Sequence, residues 1–281
     1  MTRNKTFDNT QPVLYLIATP IGNLKEMTPR ALEIISECDL VVAEDTRNAS
    51  SLLAKFDLSK PTLSLHEHNE REASKKVVKE ALQGKKIVYM SDAGYPGISD
   101  PGHILVEECI NNGISPSIIA GSSAFLNALV ASGMNSDHFY FYGFLPSKET
   151  EAKKELVKLS NKIETLIFYE SPHRIKNTIA LLLSVLGDRK VCIGRELTKI
   201  NEEFIRGTLI ELNEIDESTL KGEMVIVVEG HIETNAVDDD KIKESLELLI
   251  NKGLSKKDAI ECVSSLLNVN KNRVYDIAQS I

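Results

Sequence analysis

Among its 281 residues the chain has no apolar run near the roughly 18 to 20 residues that a bilayer-crossing helix needs. Its opening MTRNKTFDNTQP is polar, without the apolar stretch of a signal peptide. Both absences lead to the expectation of a cytoplasmic protein with no membrane partner. Cysteine is scarce: Cys38, Cys109, Cys192 and Cys262 are dispersed, form no C-x-x-C pair and have no histidine at ligand spacing. That pattern excludes a disulfide framework or a zinc knuckle and reads as reduced thiols. His66 and His68 alternate along one strand and share a face, but no third ligand type accompanies them, so no metal is expected. A formal net charge of -8 excludes a broad basic face for polyanions, so any nucleic-acid contact has to be local. G-x-G-x-x-G after a strand, G-x-x-x-x-G-K-[ST] and G-x-S-x-G are all missing, which argues against dehydrogenases, P-loop enzymes and ordinary hydrolases.

What is present is a globular composition, 42% hydrophobic, 26% charged and 5% aromatic, long enough for two domains with separate cores. Strand-like runs alternate with helix-period segments as far as residue 197, the mark of α/β architecture with parallel sheets. The strands are read at 13–20, 39–46, 62–68, 86–92 and 115–120, then at 138–144, 164–170 and 190–197. Thr28-Pro29 caps one helix, Gly84 ends another, Ser122 or Ser123 begins a third, and Ser171-Pro172 caps a fourth that runs to Gly187. Residues 202–214 and 222–230 follow on short polar connections, which predicts antiparallel strands and a mixed second sheet. The expected division is an α/β domain over 12–133, a second over 134–230, an acidic linker over 231–240 and a small helical extension over 241–281. The extension carries seven basic and five acidic residues; it reads as a docking bundle, with a helix-turn-helix as the alternative.

Gly, Pro and small polar residues collect at the carboxyl ends of successive strands, where parallel sheets bind ligands. TPIGN (19–23) follows the first strand. SDAGYPGISDPG (91–102) has three glycines, two prolines and two aspartates in twelve residues, a preformed loop with exposed backbone groups. Asp92 is placed to accept hydrogen bonds from a ribose or an amine, while Asp100 reads as the cap of the next helix. AGSSA (120–124) opens a helix towards the same edge. YESPHR (169–174) crowds a proton acceptor, an imidazole and a guanidinium at one strand end. AEDTR (43–47), HEHNE (66–70), GRELTK (194–199) and Glu202-Glu203 are further polar sets.

TPIGNL, EDTR, HEHNE, SDAGYPGISDPG, GFLP (143–146), YESPHR, RELTK and KGE (221–223), in this order between about Leu14 and Gly230, resemble the tetrapyrrole methylase superfamily, and within it the ribosomal RNA small subunit methyltransferase I family of cytidine 2'-O-methyltransferases. GLSKKDA (253–259) resembles that family's C-terminal extension. The resemblance implies two α/β domains of the tetrapyrrole methylase type, a class III S-adenosyl-L-methionine (SAM) methyltransferase, with SAM in the cleft between them and usually a homodimer. The implied substrate is a cytidine ribose in the decoding region of 16S rRNA on the small ribosomal subunit. Carried over by motif, Pro20, Gly22, Asp92, Ala93, Gly94, Tyr95, Ile98, Ser122, Ser123, Ala124, Phe144, Leu145, Leu197, Glu223 and Met224 would surround SAM. AGSSA stands where the family has PGPSA, and Tyr95 where it often has threonine. A ribose hydroxyl needs a proton acceptor at neutral pH, which leaves Glu170 or His173 as the expected base, with Arg174 and Arg47 holding flanking phosphates. The alternatives are a methyltransferase acting on a small tetrapyrrole and a non-catalytic ribosome-assembly factor.

Overall fold

The computed structural model describes residues 13–232, 238–267, 269–279 and 281. The described residues up to Gly230 form one compact unit and those from His231 onward a second. Of the linker expected over 231–240, residues 233–237 lie outside the described residues, and a helix capped by Asp238 already begins at Asp239, before the expected end.

In the larger unit the chain begins as β1 (Val13–Ile17), α1 (Pro29–Glu37), β2 (Leu40–Ala43), α2 (Thr46–Ala54), β3 (Thr62–Ser64), α3 (Glu70–Leu82), β4 (Ile87–Met90), α4 (His103–Asn111), β5 (Ser115–Ile119) and α5 (Ala124–Ser132). The five strands pair in parallel in the order β3-β2-β4-β1-β5. Alternation along each strand divides the core between two faces. Leu40, Val42, Ile87 and Tyr89 pack with Val77, Leu105 and Cys109 of α3 and α4, while Val41, Ala43, Val88 and Met90 pack with Ala31, Ile35, Ala49 and Leu53 of α1 and α2. The buried thiols of Cys38 and Cys109 are core residues, and burial raises both of their pKa values.

The chain continues as β6 (Phe139–Phe144), α6 (Glu149–Leu159), β7 (Thr165–Glu170), α7 (Ile175–Leu186), β8 (Lys190–Arg195), β9 (Glu203–Thr208), α8 (Leu209–Asn213) and β10 (Met224–Val228). The second sheet is mixed, in the order β6-β7-β10-β8-β9. Only β6 and β7 pair in parallel, and β10 lies antiparallel between β7 and β8. One face carries Leu166, Phe168, Ile193 and Ile226 against α6, α7 and α8. The other carries Ile167, Cys192, Val225 and Val227, and its cover is α5, through Ala128 and Leu129. A helix that follows the first sheet in sequence therefore roofs the second.

Two elements depart from the sequence reading. Helix α2 stands where only a connection is expected, started by Asp45, whose side chain accepts from the Arg47 amide at 2.8 Å. The strand expected over 202–214 stops at Thr208, where a capping box with Glu211 turns the chain into α8. In the smaller unit α9 (Asp239–Asn251), α10 (Lys256–Leu267) and α11 (Lys271–Ala278) enclose their own core of Ile242, Leu246, Ile260, Val263 and Val274.

Asp100 does not cap α4. The helix starts from Gly102, and the buried Glu70 carboxylate does the capping from α3: its Oε1 accepts from the amides of Gly102 at 2.8 Å and Ile104 at 3.0 Å. Glu70→Ala removes both acceptors and is expected to lower stability by about 1–3 kcal/mol, read as a lower urea midpoint with an unchanged slope.

Candidate active site

The carboxyl ends of β1 and β4, the start of α5 and one edge of the second sheet converge on a cleft of about 410 Å³. That lies within the range of about 300–1,000 Å³ usual for small-molecule sites. On the second sheet, pairing register brings the ends of three strands to the same edge: Met224 at the start of β10 stands opposite both Glu170, the last residue of β7, and Arg195, the last of β8.

The loop after β4 forms one wall. Thr19 and Gly94 exchange two backbone hydrogen bonds at 2.9 and 3.1 Å, and the Ser91 hydroxyl donates to the Gly94 carbonyl at 3.1 Å. Gly94 has φ of +78°, which favours glycine. The Tyr95 hydroxyl accepts from the Gly121 amide at 3.2 Å, tying the loop to the AGSSA turn. Within that turn Ser123 is buried and makes no capping bond, while the Ser122 hydroxyl donates to Glu26. Burial, followed by the carboxylates of Glu44 and Asp92, pushes Asp100 up to about 6.

On the opposite wall, Tyr169 stacks edge-on to Phe141 at 5.0 Å and contacts Phe144 at 5.4 Å, and burial pushes its hydroxyl up to about 12. Glu170 is buried. Its Oε1 accepts from the Ser171 amide at 2.8 Å and its Oε2 from the Thr178 hydroxyl at 2.6 Å. Arg174 approaches it at 3.7 Å and donates to the carbonyls of Leu145 at 3.1 Å and Pro146 at 3.0 Å. Ser171-Pro172 lies in a turn before α7, whose first residue is Ile175 and whose cap position is Arg174.

RELTK and KGE close the site by interlocking. Glu196 and Thr198 adopt left-handed backbone, at φ of +49° and +68°. Lys199 bonds Glu196 at 2.9 Å and Glu223 at 3.0 Å, and its ammonium holds Glu196 below the usual carboxylate range. Gly22 packs against this loop: a β-carbon there would lie 2.4 Å from Lys199 Cγ.

Of the residues expected around SAM, Ala93, Gly94, Tyr95, Ile98, Ser123, Ala124, Phe144, Leu197, Glu223 and Met224 line the cleft, as does Glu170 of the expected catalytic set. Pro20, Gly22, Asp92, Ser122 and Leu145 lie off the lining. Asp92 instead accepts from Asn48 at 2.7 Å, and Leu145 is core of the second half. His173 is exposed and off the lining. Arg174 is committed to carbonyls rather than free for phosphate. Arg47 is solvent-exposed and paired with Asp45 through two hydrogen bonds, at 3.1 and 2.6 Å, which holds Asp45 well below its usual range. Ile21, Ser99, Asp100, Phe125, Tyr169, Ser171, Pro172 and Val225 line the cleft without having been expected there. Ile21, Ser99 and Asp100 fall inside motifs already singled out, whereas Phe125 and Val225 arrive through the packing of α5 on the second sheet. Among the described residues no group of His, Cys, Asp and Glu is arranged to hold a metal, and no helix is long and apolar enough to cross a membrane.

The fold and the cleft define a methyltransferase of the tetrapyrrole methylase class: the sequence model of the Tetrapyrrole (Corrin/Porphyrin) Methylases matches residues 13–213. The solved methyltransferase CobJ superposes with a TM-score of 0.60 at 16% identity, over 78% of this chain and 95% of its own. Uroporphyrin-III-C-methyltransferase from Thermus thermophilus gives 0.56 at 14%, over 78% and 94%. Likeness at this level of identity is one of fold. Sequence similarity is closer to Ribosomal RNA small subunit methyltransferase I of Bacillus subtilis (strain 168), 42% identical over 94% of this chain and 93% of that protein. The protein of that name from Vibrio cholerae is 41% identical over 98% and 97%. The chain belongs to the ribosomal RNA small subunit methyltransferase I family.

Arg174→Ala loses its bonds to the carbonyls of Leu145 and Pro146 and is expected to cost about 1.5–3 kcal/mol of stability, seen in the denaturant midpoint without any RNA present. A purely phosphate-binding arginine would leave that midpoint in place.

Proposed function

We propose that the cleft binds S-adenosyl-L-methionine and that the protein methylates the 2'-oxygen of a cytidine ribose in the decoding region of 16S rRNA, acting on the small ribosomal subunit as a cytoplasmic homodimer. The observation that carries the donor assignment is the charge of the lining: Asp100, Glu170 and Glu223 contribute carboxylates, and among the described residues no lysine, arginine or histidine lines the cleft. A site of that sign suits a molecule bearing a sulfonium and an ammonium, and it disfavours an acid-bearing macrocycle. Ala93, Gly94 and Ala124 leave room, Ile98, Leu197, Met224 and Val225 supply apolar contact, and Ser123 is free of a capping duty.

When bound, SAM supplies an electrophilic methyl group. The chain's part is to hold the ribose oxygen in line with that group at a near-attack distance of about 3–3.5 Å and to exclude water. The walls formed by the 91–102 loop and by Tyr169 to Pro172 would bracket the sugar, and the exposed Arg47 at the start of α2 would reach a flanking phosphate by exchanging its ion pair with Asp45. The names carried by the relatives of about 40% identity support rRNA as the acceptor.

The deciding measurement is transfer of labelled methyl from SAM to small ribosomal subunits lacking the modification, followed by mapping of the labelled sugar. Label on a cytidine ribose is expected; label on a porphyrin precursor instead, or absence of SAM binding by calorimetry, overturns the reading. Ala124→Leu fills the cleft and is expected to weaken SAM binding at least tenfold, while the unfolding midpoint stays near wild type. Given the net charge of -8, binding to a short naked RNA is expected to be weak and to fall steeply with salt in a filter-binding titration.

A further inference from the structure

We propose that Asp100 is the group that accepts the proton of the ribose hydroxyl during methyl transfer, a catalytic residue in a position that reads from sequence as a helix cap. The inference rests on the functional reading above and assigns that reading its base.

The geometry singles Asp100 out among the carboxylates of the cleft. Glu170 is spent on the Ser171 amide, the Thr178 hydroxyl and Arg174. Glu223 is largely exposed and ion-paired with Lys199 at 3.0 Å. Asp100 has no basic partner among the described residues, relieves no helix end, and lines the cleft beside Tyr95 and Ile98, with Tyr169 to Pro172 also on the lining. The backbone on both sides of it is pinned. Ser99 stands in left-handed conformation at φ of +61°, a position costly for a residue with a side chain, and its hydroxyl lies 3.1 Å from where a β-carbon on Gly143 would be. The carbonyl of Pro101 accepts from the buried Tyr89 hydroxyl, and the amide of Gly102 is held by Glu70. Such clamping of one carboxylate into a ligand cleft is a form of preorganisation.

The groups around Asp100 are Ser91 and Tyr89 at the end of β4; Glu44 at the exit of β2; Asp92 at the exit of β4; and Tyr169 on β7. Glu170 and Glu223 share the cleft lining. Burial first, and then Glu44 and Asp92, raise its affinity for a proton, so that it titrates at about 6. It is therefore mostly ionised at pH 7 while being a stronger base than an ordinary aspartate, which is the compromise a general base needs. In the step itself the ribose oxygen forms its bond to the methyl carbon as the donor's carbon–sulfur bond breaks and that electron pair stays on sulfur. The hydroxyl proton passes to an Asp100 carboxylate oxygen and then to solvent.

The test compares wild type, Asp100→Asn and Asp100→Glu on small subunits lacking the modification, at saturating SAM between pH 5 and 8. Wild-type kcat is expected to rise with pH through about 6. At saturating SAM Asp100→Asn is expected to lose about 10²- to 10⁴-fold in kcat and the acid limb, over and above the SAM affinity that removing one of the three lining carboxylates costs by calorimetry. Asp100→Glu keeps a displaced acid limb. A readout without turnover accompanies these: carbon-13 detection of the aspartate carboxyls should show one group titrating near 6, absent from Asp100→Asn. The assignment is overturned if Asp100→Asn stays within threefold of wild-type kcat or keeps the acid limb, if its defect lies in SAM affinity alone, or if no carboxyl titrates near 6. Wild-type enzyme that labels no ribose overturns the functional reading, and this assignment with it.

Discussion

The site depends on the packing of α5. This helix leaves the first sheet after β5, yet the faces of Ala128 and Leu129 are buried against Ile167, Cys192, Val225 and Val227 of the second. Apolar burial of that kind is not directional in itself, but here it fixes direction, because the start of the same helix carries Ser123, Ala124 and Phe125 to the cleft. The carboxyl edge of the first sheet thus meets, at the cleft, the edge of the second sheet at which β7 and β8 end and β10 begins, and Glu196, Lys199 and Glu223 interlock beside it.

Charge is distributed with a matching logic. Basic residues near the site are occupied elsewhere: Arg174 with backbone carbonyls, Lys199 with two glutamates, Arg195 with Glu203. What remains facing the cleft is acidic. An excess of one sign is destabilising when the cleft is empty of counter-charge and is relieved by a cationic occupant, so the same residues that cost stability give selectivity.

The sheets were legible in the sequence because the nearly unbroken apolar runs LVVA, IVYM, TLIFYE and MVIVV report burial on both faces, and the ligand edge was legible because glycine and proline accumulate where strands end. Relationships at a distance were hidden. Nothing local in HEHNE says that Glu70 caps a helix 32 residues on, and so SDPG looked self-sufficient and Asp100 took a capping role it does not have. The apolar run IRGTLIEL concealed the capping box of Thr208 and Glu211. YESPHR shows polar residues in number but not that two of them, Glu170 and Arg174, are directed at each other and at neighbouring backbone. Composition shows which groups are near a strand end; only the fold shows which of them already have partners.

The central position of β10 has a consequence for how the chain is made. It is the last strand of its sheet in sequence and lies between β7 and β8, so the second sheet is split until residue 228 has emerged from the ribosome. During that interval the first sheet can be complete, while the apolar side of α5 still lacks much of its counterpart. A nascent chain in this state exposes the kind of surface that chaperones cover, and the cleft comes into being only after β10 has emerged, when one inserted strand joins the halves of a sheet whose ordering is intrinsically slow.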